Sequence, residues 1–434
     1  MAGSELEGMK MEQSRERFAN EVDVALAQSA RPFAIHNARK VDARGVAEHY
    51  WLVSDGSAII AVGDRDADFA AACASVGLDA DTDSVGSVGS DSSAAGSVTD
   101  AAGRMVAPGY VDIHAHGSWG SSFDDGVQGI RLARAGHMMH GTTRQVLSLI
   151  TNPLDVMCAN LETVHGMMSA RPDILGAHLE GPFLALSRKG AHDPECLKDP
   201  VPEYVDRLLQ AAGGCLRQIT IAPELPHGID AIRRFAAAGV VPAVGHCDAD
   251  YATARKGFDA GAGIMTHMFN AMNGLHHREP GPIPAAVEDP RVTIELINDG
   301  FHVQNPMVRL GFGFAPHRTA FVTDAMAATD CPDGHYLLGA LDVDGDRWSR
   351  SARVEWCDCR FHADVGKGCS ACGARIGIHA RRRGGGRHVD SGQSIRFRPR
   401  EPGHQATSRS ACSRLRCRRA SARSRHLVRH PRLV

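Results

Sequence analysis

From residue 108 onward the chain alternates short apolar runs with amphipathic stretches. The runs are "YVDIHAH" (110–116), "TTRQVLSL" (142–149), "ILGAHLEG" (174–181), "QITIAPE" (218–224), "VPAVGH" (241–246), "GIMTHMFNAM" (263–272), "TIELINDG" (293–300) and "TAFVTDA" (319–325). Each is short, rich in branched residues and bounded by turn-forming residues, as buried parallel strands are. Stretches such as "PEYVDRLLQAA" and "GIDAIRRFAAAG" lie between them and carry apolar residues at helical spacing. Eight strands in this alternation predict an α/β fold, a (β/α)₈ barrel spanning residues 108–344. A doubly wound open sheet is the competing arrangement. The barrel is favoured because polar side chains gather at the C-terminal ends of several strands, where barrels build their sites.

The pattern before residue 108 is different. Residues 33–64 read as short strands separated by Gly and Asp-Gly turns. They predict part of a small β-sandwich over residues 33–107, interrupted by a flexible Ser/Gly/Asp-rich insertion at 78–98. Residues 1–32 are polar and mixed in charge, and are expected to be a flexible extension. They contain no apolar signal core, and no run reaches the ~18 apolar residues of a membrane span. With twelve scattered cysteines, this predicts a protein of the reducing cytoplasm.

The strand ends carry the candidate chemistry. Side chains two apart on a strand share a face, so His114 and His116 point the same way, as does Asp112. Such a pair can grip a metal ion or form a hydrogen-bonded patch in a polar barrel mouth. Glu180 closes "GAHLE", His246 closes "VPAVGH", His267 lies in "MTHMF" and Asp324 in "FVTDA". A lone residue of this kind is usually a satisfied polar group; several at one barrel mouth indicate a site. Glu and His suit Zn²⁺ or a similar divalent ion, which acidifies water and polarises a carbonyl. A carboxylate such as Asp324 can then carry the water proton to a leaving group.

In "VAPGYVDIHAHG", "LGAHLEGPF", "KGAH", "VGHCDAD", "THMFNAM", "HREPG", "NDGFHV" and "VTDAMAA", in that order, the chain resembles the N-acetylglucosamine-6-phosphate deacetylase family of the amidohydrolase superfamily. The resemblance runs from about residue 33 to 343. It implies hydrolysis of the acetamide of N-acetylglucosamine 6-phosphate to glucosamine 6-phosphate and acetate. It implies Glu180, His246 and His267 as ligands of one ion, with a second allowed at His114 and His116. Asp324 would be the general base and then the acid, and His192 would stabilise the oxyanion. Ala191, His192, Asn270, Ala271, Asp299 and His302 would contact substrate. Arg278 would grip the phosphate, in relatives at a neighbouring subunit's site, which implies a homodimer. Another amidohydrolase activity, aminoacylase-like or dihydroorotase-like, is the rival within the superfamily.

The charge pattern breaks near residue 345. The net charge of −2 conceals 22 Lys+Arg against 6 Asp+Glu in residues 345–434. Half of the cysteines lie there, and hydrophobic periodicity is lost. Cys357, Cys359, Cys369 and Cys372 match zinc-ribbon spacing only loosely. A nucleic-acid-binding tail is a further reading, but no recognition motif supports it. A shift of reading frame explains more: with permitted codons, residues 355–372 read one nucleotide later yield the "IAGS"-type segment expected from the resemblance. Residues 345–434 are therefore read as an out-of-frame, disordered tail, and an inactive product of a frameshifted gene is the alternative to an enzyme.

Overall fold

A computed structural model describes residues 2–80, 96–332, 334–338, 341–345 and 350–352. The core of the expected insertion, the zinc-ribbon cysteines and nearly all of the basic tail lie outside the described residues.

The chain opens with helix α1 (Ala2–Gln28), which corrects the expectation of a flexible extension. Ala19 and Val22 are buried against Ala135 of a barrel helix, with Phe18 and Leu26 beside them. Arg131 pairs with Glu16 (2.7 Å) and with Asp23, and Arg171 Nη1 reaches Asp23 at 3.2 Å. Arg15 donates to the carbonyl of Asp330 (2.6 Å) and lies over the Trp119 ring. The segment's polarity hid a narrow apolar stripe whose partner is distant in sequence.

Strands β1 (Phe33–Asp42), β2 (Gly45–Ser54), β3 (Ile59–Gly63), β4 (Ser97–Asp100) and β5 (Met105–Val106) form one small sheet, ordered β3-β2-β1-β4, with β5 also on β1. Helix α2 (Asp66–Ala74) covers it, and Phe69 and Cys73 pack on Ala34, Trp51, Val53 and Val98.

The barrel strands are β6 (Tyr110–Asp112), β9 (Thr142–Ile150), β10 (Ile174–Glu180), β11 (Leu216–Ile221), β12 (Val241–Val244), β13 (Ile264–Met265), β14 (Thr293–Ile297) and β15 (Thr319–Val322). A two-residue hairpin pair, β7 (Gly117–Ser118) and β8 (Ser121–Ser122), follows β6. The eight strands pair in sequence order, all parallel. The ring closes just beyond the last ladder: Asp324 N–H donates to His114 O (2.9 Å), and His116 N–H to Ala325 O (2.6 Å).

Alternation along these strands separates two environments. Leu147, Leu179, Ile219, Val244, Met265, Leu296 and Phe321 join the large core against the helices. Val146, Ala243, Ile264, Ile297 and Val322 form a separate cluster inside the barrel. The helices α3 (Gly126–Met139), α4 (Leu154–Met168), α5 (Pro202–Ala212), α6 (Gly228–Ala237), α7 (Tyr251–Asp259), α8 (Pro282–Glu288) and α9 (Asn305–Phe314) surround the strands. Helix α5 illustrates the local code. Proline at its first position suits a site with no hydrogen-bonding duty, Val205, Leu208 and Ala212 are buried, and left-handed Gly213 ends it. Strands β16 (Gly334–Leu338), β17 (Leu341–Gly345) and β18 (Arg350–Ala352) form a separate antiparallel sheet. Leu338 from β16 packs beside Ile150 and Ala191 at the barrel mouth. Among the described residues, no helix is long and apolar enough to cross a membrane.

Candidate metal centre

Glu180 is the last residue of β10, and its carboxylate is the hub of the mouth. Oε1 lies 3.1 Å from His246 Nε2 and 3.0 Å from His267 Nε2, which are themselves 3.0 Å apart. Oε2 lies 3.0 Å from His116 Nε2 and 3.3 Å from His192 Nε2. His114 Nε2 stands 3.3 Å from Glu180 Oε1 and 3.4 Å from Asp324 Oδ1, and His116 Nε2 3.5 Å from the same Asp324 oxygen. All of these residues are buried.

The backbone delivers several of them from outside the ladders. His114, His116, His246, His267 and Asp324 were expected on or at the ends of strands, yet β6 ends at Asp112, β12 at Val244, β13 at Met265 and β15 at Val322. His246 (φ 46°), His267 (φ 20°) and Asp324 (φ 49°) have positive φ. Residues with a Cβ avoid this region at a cost of about 1–2 kcal/mol each. The sharp turns aim these side chains across the mouth.

Hydrogen-bond partners at the outer nitrogens hold three of the imidazoles, those of His246, His114 and His192. His246 Nδ1 faces the Arg188 carbonyl at 2.8 Å, so it carries the proton and Nε2 presents a lone pair. His114 Nδ1 lies 3.0 Å from Glu295 Oε2. His192 Nδ1 lies 2.8 Å from Thr151 Oγ1, whose hydroxyl is also 2.9 Å from the Glu180 carbonyl. Burial pushes the His192 pKa down to about 4, against the opposing pull of Glu180. Burial alone would raise the Glu180 pKa, but His114 and His246 hold it well below the ordinary carboxylate value.

The ligand atoms fit a divalent ion. An ion with bonds of about 2.0–2.2 Å separates neighbouring ligand atoms by roughly 3.0–3.5 Å. The Glu180–His246–His267 triangle has that size. Two further groupings of close ligand atoms are His114, His116, Glu180 and Asp324, and Glu180, His192 and His246.

The remaining expected residues divide. Ala191, His192, Asn270, Ala271 and His302 line the cavity above the cluster, with Ile150 and Leu338. Asp299 does not join that lining. It accepts from Phe301 N–H (2.8 Å) and His302 N–H (2.9 Å) and holds His302 Nδ1 at 2.7 Å. Arg278 is exposed on the loop after β13 and is not among the lining residues. Sequence reasoning passed over Glu295, Gln218, His178 and Thr151. The available signal was a Glu in the apolar run "TIELI" and a Gln in "QITI". A strand buried on both faces carries a charge only when it has a partner.

A barrel of parallel strands with carboxylate and imidazole ligand atoms converging at its mouth defines the class: a barrel protein whose mouth carries a residue cluster consistent with a divalent metal. Residues 105–312 match the amidohydrolase family. The chain is 35% identical over 253 residues to the N-acetylgalactosamine-6-phosphate deacetylase of Escherichia coli O157:H7, covering 57% of this chain and 67% of that protein. It is 35% identical over 243 residues to the N-acetylglucosamine-6-phosphate deacetylase of Vibrio furnissii, covering 55% and 60%. The chain thus spans two thirds or less of the length of the curated relatives it matches. The crystal structure of an N-acetyl-D-glucosamine-6-phosphate deacetylase variant from Mycobacterium smegmatis, in complex with N-acetyl-D-glucosamine-6-phosphate, is 33% identical with a TM-score of 0.67, covering 80% of this chain and 84% of that one. The chain belongs to the N-acetylglucosamine-6-phosphate deacetylase family of amidohydrolases.

Proposed function

We propose that the chain hydrolyses the acetamide of N-acetylglucosamine 6-phosphate, releasing acetate and glucosamine 6-phosphate in amino-sugar breakdown. The observation that carries this reading is the convergence of Glu180, His246 and His267 within 3.0–3.1 Å, with Asp324 beside them, under a cavity lined by His192, Asn270, Ala271 and His302. Glu180, His246 and His267 would hold one divalent ion, read as Zn²⁺. That ion supplies carbonyl polarisation and acidified water.

The side chains do the rest. Asp324 takes the proton of the attacking water and returns it to the departing amine. His192 faces the carbonyl oxygen; for its Nε2 to donate, the Thr151 hydroxyl gives its proton to Nδ1 rather than to the Glu180 carbonyl, and both acceptors are within reach. Asn270, Ala271 and His302 contact the sugar, and Asp299 orients His302. Arg278, outside its own cavity lining, grips the phosphate in the site of a second copy, which makes the working unit a homodimer. The six free cysteines among the described residues suit a reducing cytoplasm.

The test is acetate release by the zinc-supplemented chain from N-acetylglucosamine 6-phosphate, its C4 epimer and the unphosphorylated sugar. Strong preference for the first substrate is expected, with Arg278→Ala raising KM for phosphorylated sugar alone. Preference for the epimer moves the assignment to the galactosamine series, and equal use of the unphosphorylated sugar removes the phosphate from recognition.

A further inference from the structure

Asp324 stands outside the barrel ladder, two residues beyond the end of β15. The irregular chain that follows it, as far as Asp330, runs beside the segment that leaves β6 and turns into the β7–β8 hairpin. Main-chain bonds zip the two together. Asp324 N–H donates to His114 O (2.9 Å), and the His116 and Gly117 N–H groups both donate to Ala325 O (2.6 and 3.0 Å). Further out, Gly120 N–H donates to Ala327 O (2.7 Å) and Trp119 N–H to Thr329 O (3.0 Å). This seam carries the proposed proton carrier at its inner end. At its outer end Trp119 and Asp330 both have positive φ (58° each). A residue with a Cβ holds that conformation only where its surroundings impose it.

What imposes it lies on α1. The Arg15 guanidinium donates through Nη2 to the Asp330 carbonyl (2.6 Å) and through Nη1 to the Trp119 carbonyl (3.3 Å). One planar fork of N–H donors thus joins the outer ends of both segments, a task that suits a guanidinium better than an ammonium. Arg15 also lies 5.6 Å from the centroid of the Trp119 ring, and Phe18, one turn along the same helix, meets that ring edge-on at 5.9 Å. From the end of α3, His140 pairs with the Asp330 carboxylate. Helix α1 is itself anchored through Glu16 and Asp23 to Arg131 and Arg171. The clamp is therefore built on two docked helices rather than on a loop.

We infer that Arg15 is a positioning residue: from α1 it clamps the outer end of the seam and so holds Asp324 at the reaction centre, touching neither substrate nor metal itself. The inference deepens the proposed function, since it rests on Asp324 carrying the proton. A proton carrier works only within hydrogen-bond reach of its target, so a loosened seam lowers turnover. Glu180, His246 and His267 come from other strands and keep their places.

The test compares Arg15→Ala, Arg15→Lys and Arg17→Ala in the zinc-supplemented full-length chain. Arg17 is an exposed control on the same helix, paired with Glu21 at the surface (3.5 Å). Acetate release from N-acetylglucosamine 6-phosphate gives kcat and KM, elemental analysis gives bound metal, and hydrogen exchange reads the seam amides of Gly117, Trp119 and Gly120. Arg15→Ala is expected to lower kcat about tenfold, with KM and bound metal within about twofold of wild type. It should also speed exchange of the seam amides about tenfold while amides of β10 and β11 keep their rates. Arg15→Lys, which keeps the charge but not the fork, should fall between, and Arg17→Ala should match the wild type. Unchanged kcat in Arg15→Ala, or exchange speeded equally throughout the barrel, overturns the inference. Should Arg15→Ala not fold, Arg15→Lys decides by the same two readouts. An inactive wild type sinks the proposed function instead, and exchange at the seam then decides the clamp alone.

Discussion

The two sides of Glu180 are built by different means. On one side, His246 and His267 are aimed by the main chain, from positive-φ turns directly after two short strands, and the Arg188 carbonyl holds one ring. On the other, His114 and His116 continue the alternation of β6, and the His114 ring is oriented by a buried side chain of another strand. Glu295 holds His114 Nδ1, while Asp112 accepts from the His114 N–H (3.2 Å) and from Thr323 Oγ1 (2.6 Å). The first side is fixed by backbone strain stored at the turns. The second is fixed by a polar network inside the barrel, which stiffens the site only while every member is satisfied. Substitutions should therefore act locally on the first side and propagate through partners on the second.

The largest expected effect comes from removing the hub. Glu180→Gln would withdraw the proposed charged ligand from both sides at once, so bound metal should fall to near zero and turnover by more than about 10³-fold. Retention of one full equivalent by elemental analysis would show that one side holds an ion without the hub. Asp324→Asn separates the sides. It should leave the His246–His267 ion in place and lower kcat about 10²–10⁴-fold, the usual worth of a positioned proton carrier. Near-normal turnover would take the proton-transfer role away from Asp324.

The same contrast governs what could be read from sequence. Eight strands, their order and the chemistry at their ends were legible because parallel strands read as apolar runs and sites lie at their C-terminal ends. The alternation that puts His114 and His116 on one face was legible for the same reason. The turns that end β13 at Met265, before His267, were not, since positive φ at a non-glycine residue carries no sequence signature. Glu295 was visible as a charge in an apolar strand, but its pairing with His114 joins residues 181 positions apart, which no local pattern encodes. Helix α1 escapes local patterning for a related reason: its docking rests on Arg131 and Arg171, far along the chain.

The smallest effect tests the second side through its support. Asp124 holds the turn after the β7–β8 hairpin. It accepts from Ile150 N–H (3.2 Å), Asn160 Nδ2 (3.0 Å) and Ser122 Oγ (3.3 Å), and that serine also bonds the His116 carbonyl (3.3 Å). Burial raises the Asp124 pKa to about 6, although these hydrogen bonds pull it down. The folded state thus binds the proton more tightly than the unfolded chain, whose carboxyl titrates near 3.9. The stability this group contributes is fully present below about pH 4 and is lost as pH rises through about 6. The two-unit difference is worth about 3 kcal/mol at most. Asp124→Asn abolishes the titration and keeps a side chain of the same shape. Relative to wild type it should gain stability between pH 5 and pH 8, by about 1–3 kcal/mol in denaturant midpoints of the metal-free protein. A constant offset between the two proteins across that range would mean that Asp124 is already ionised at pH 5, and that the network under His116 pays for a buried charge throughout.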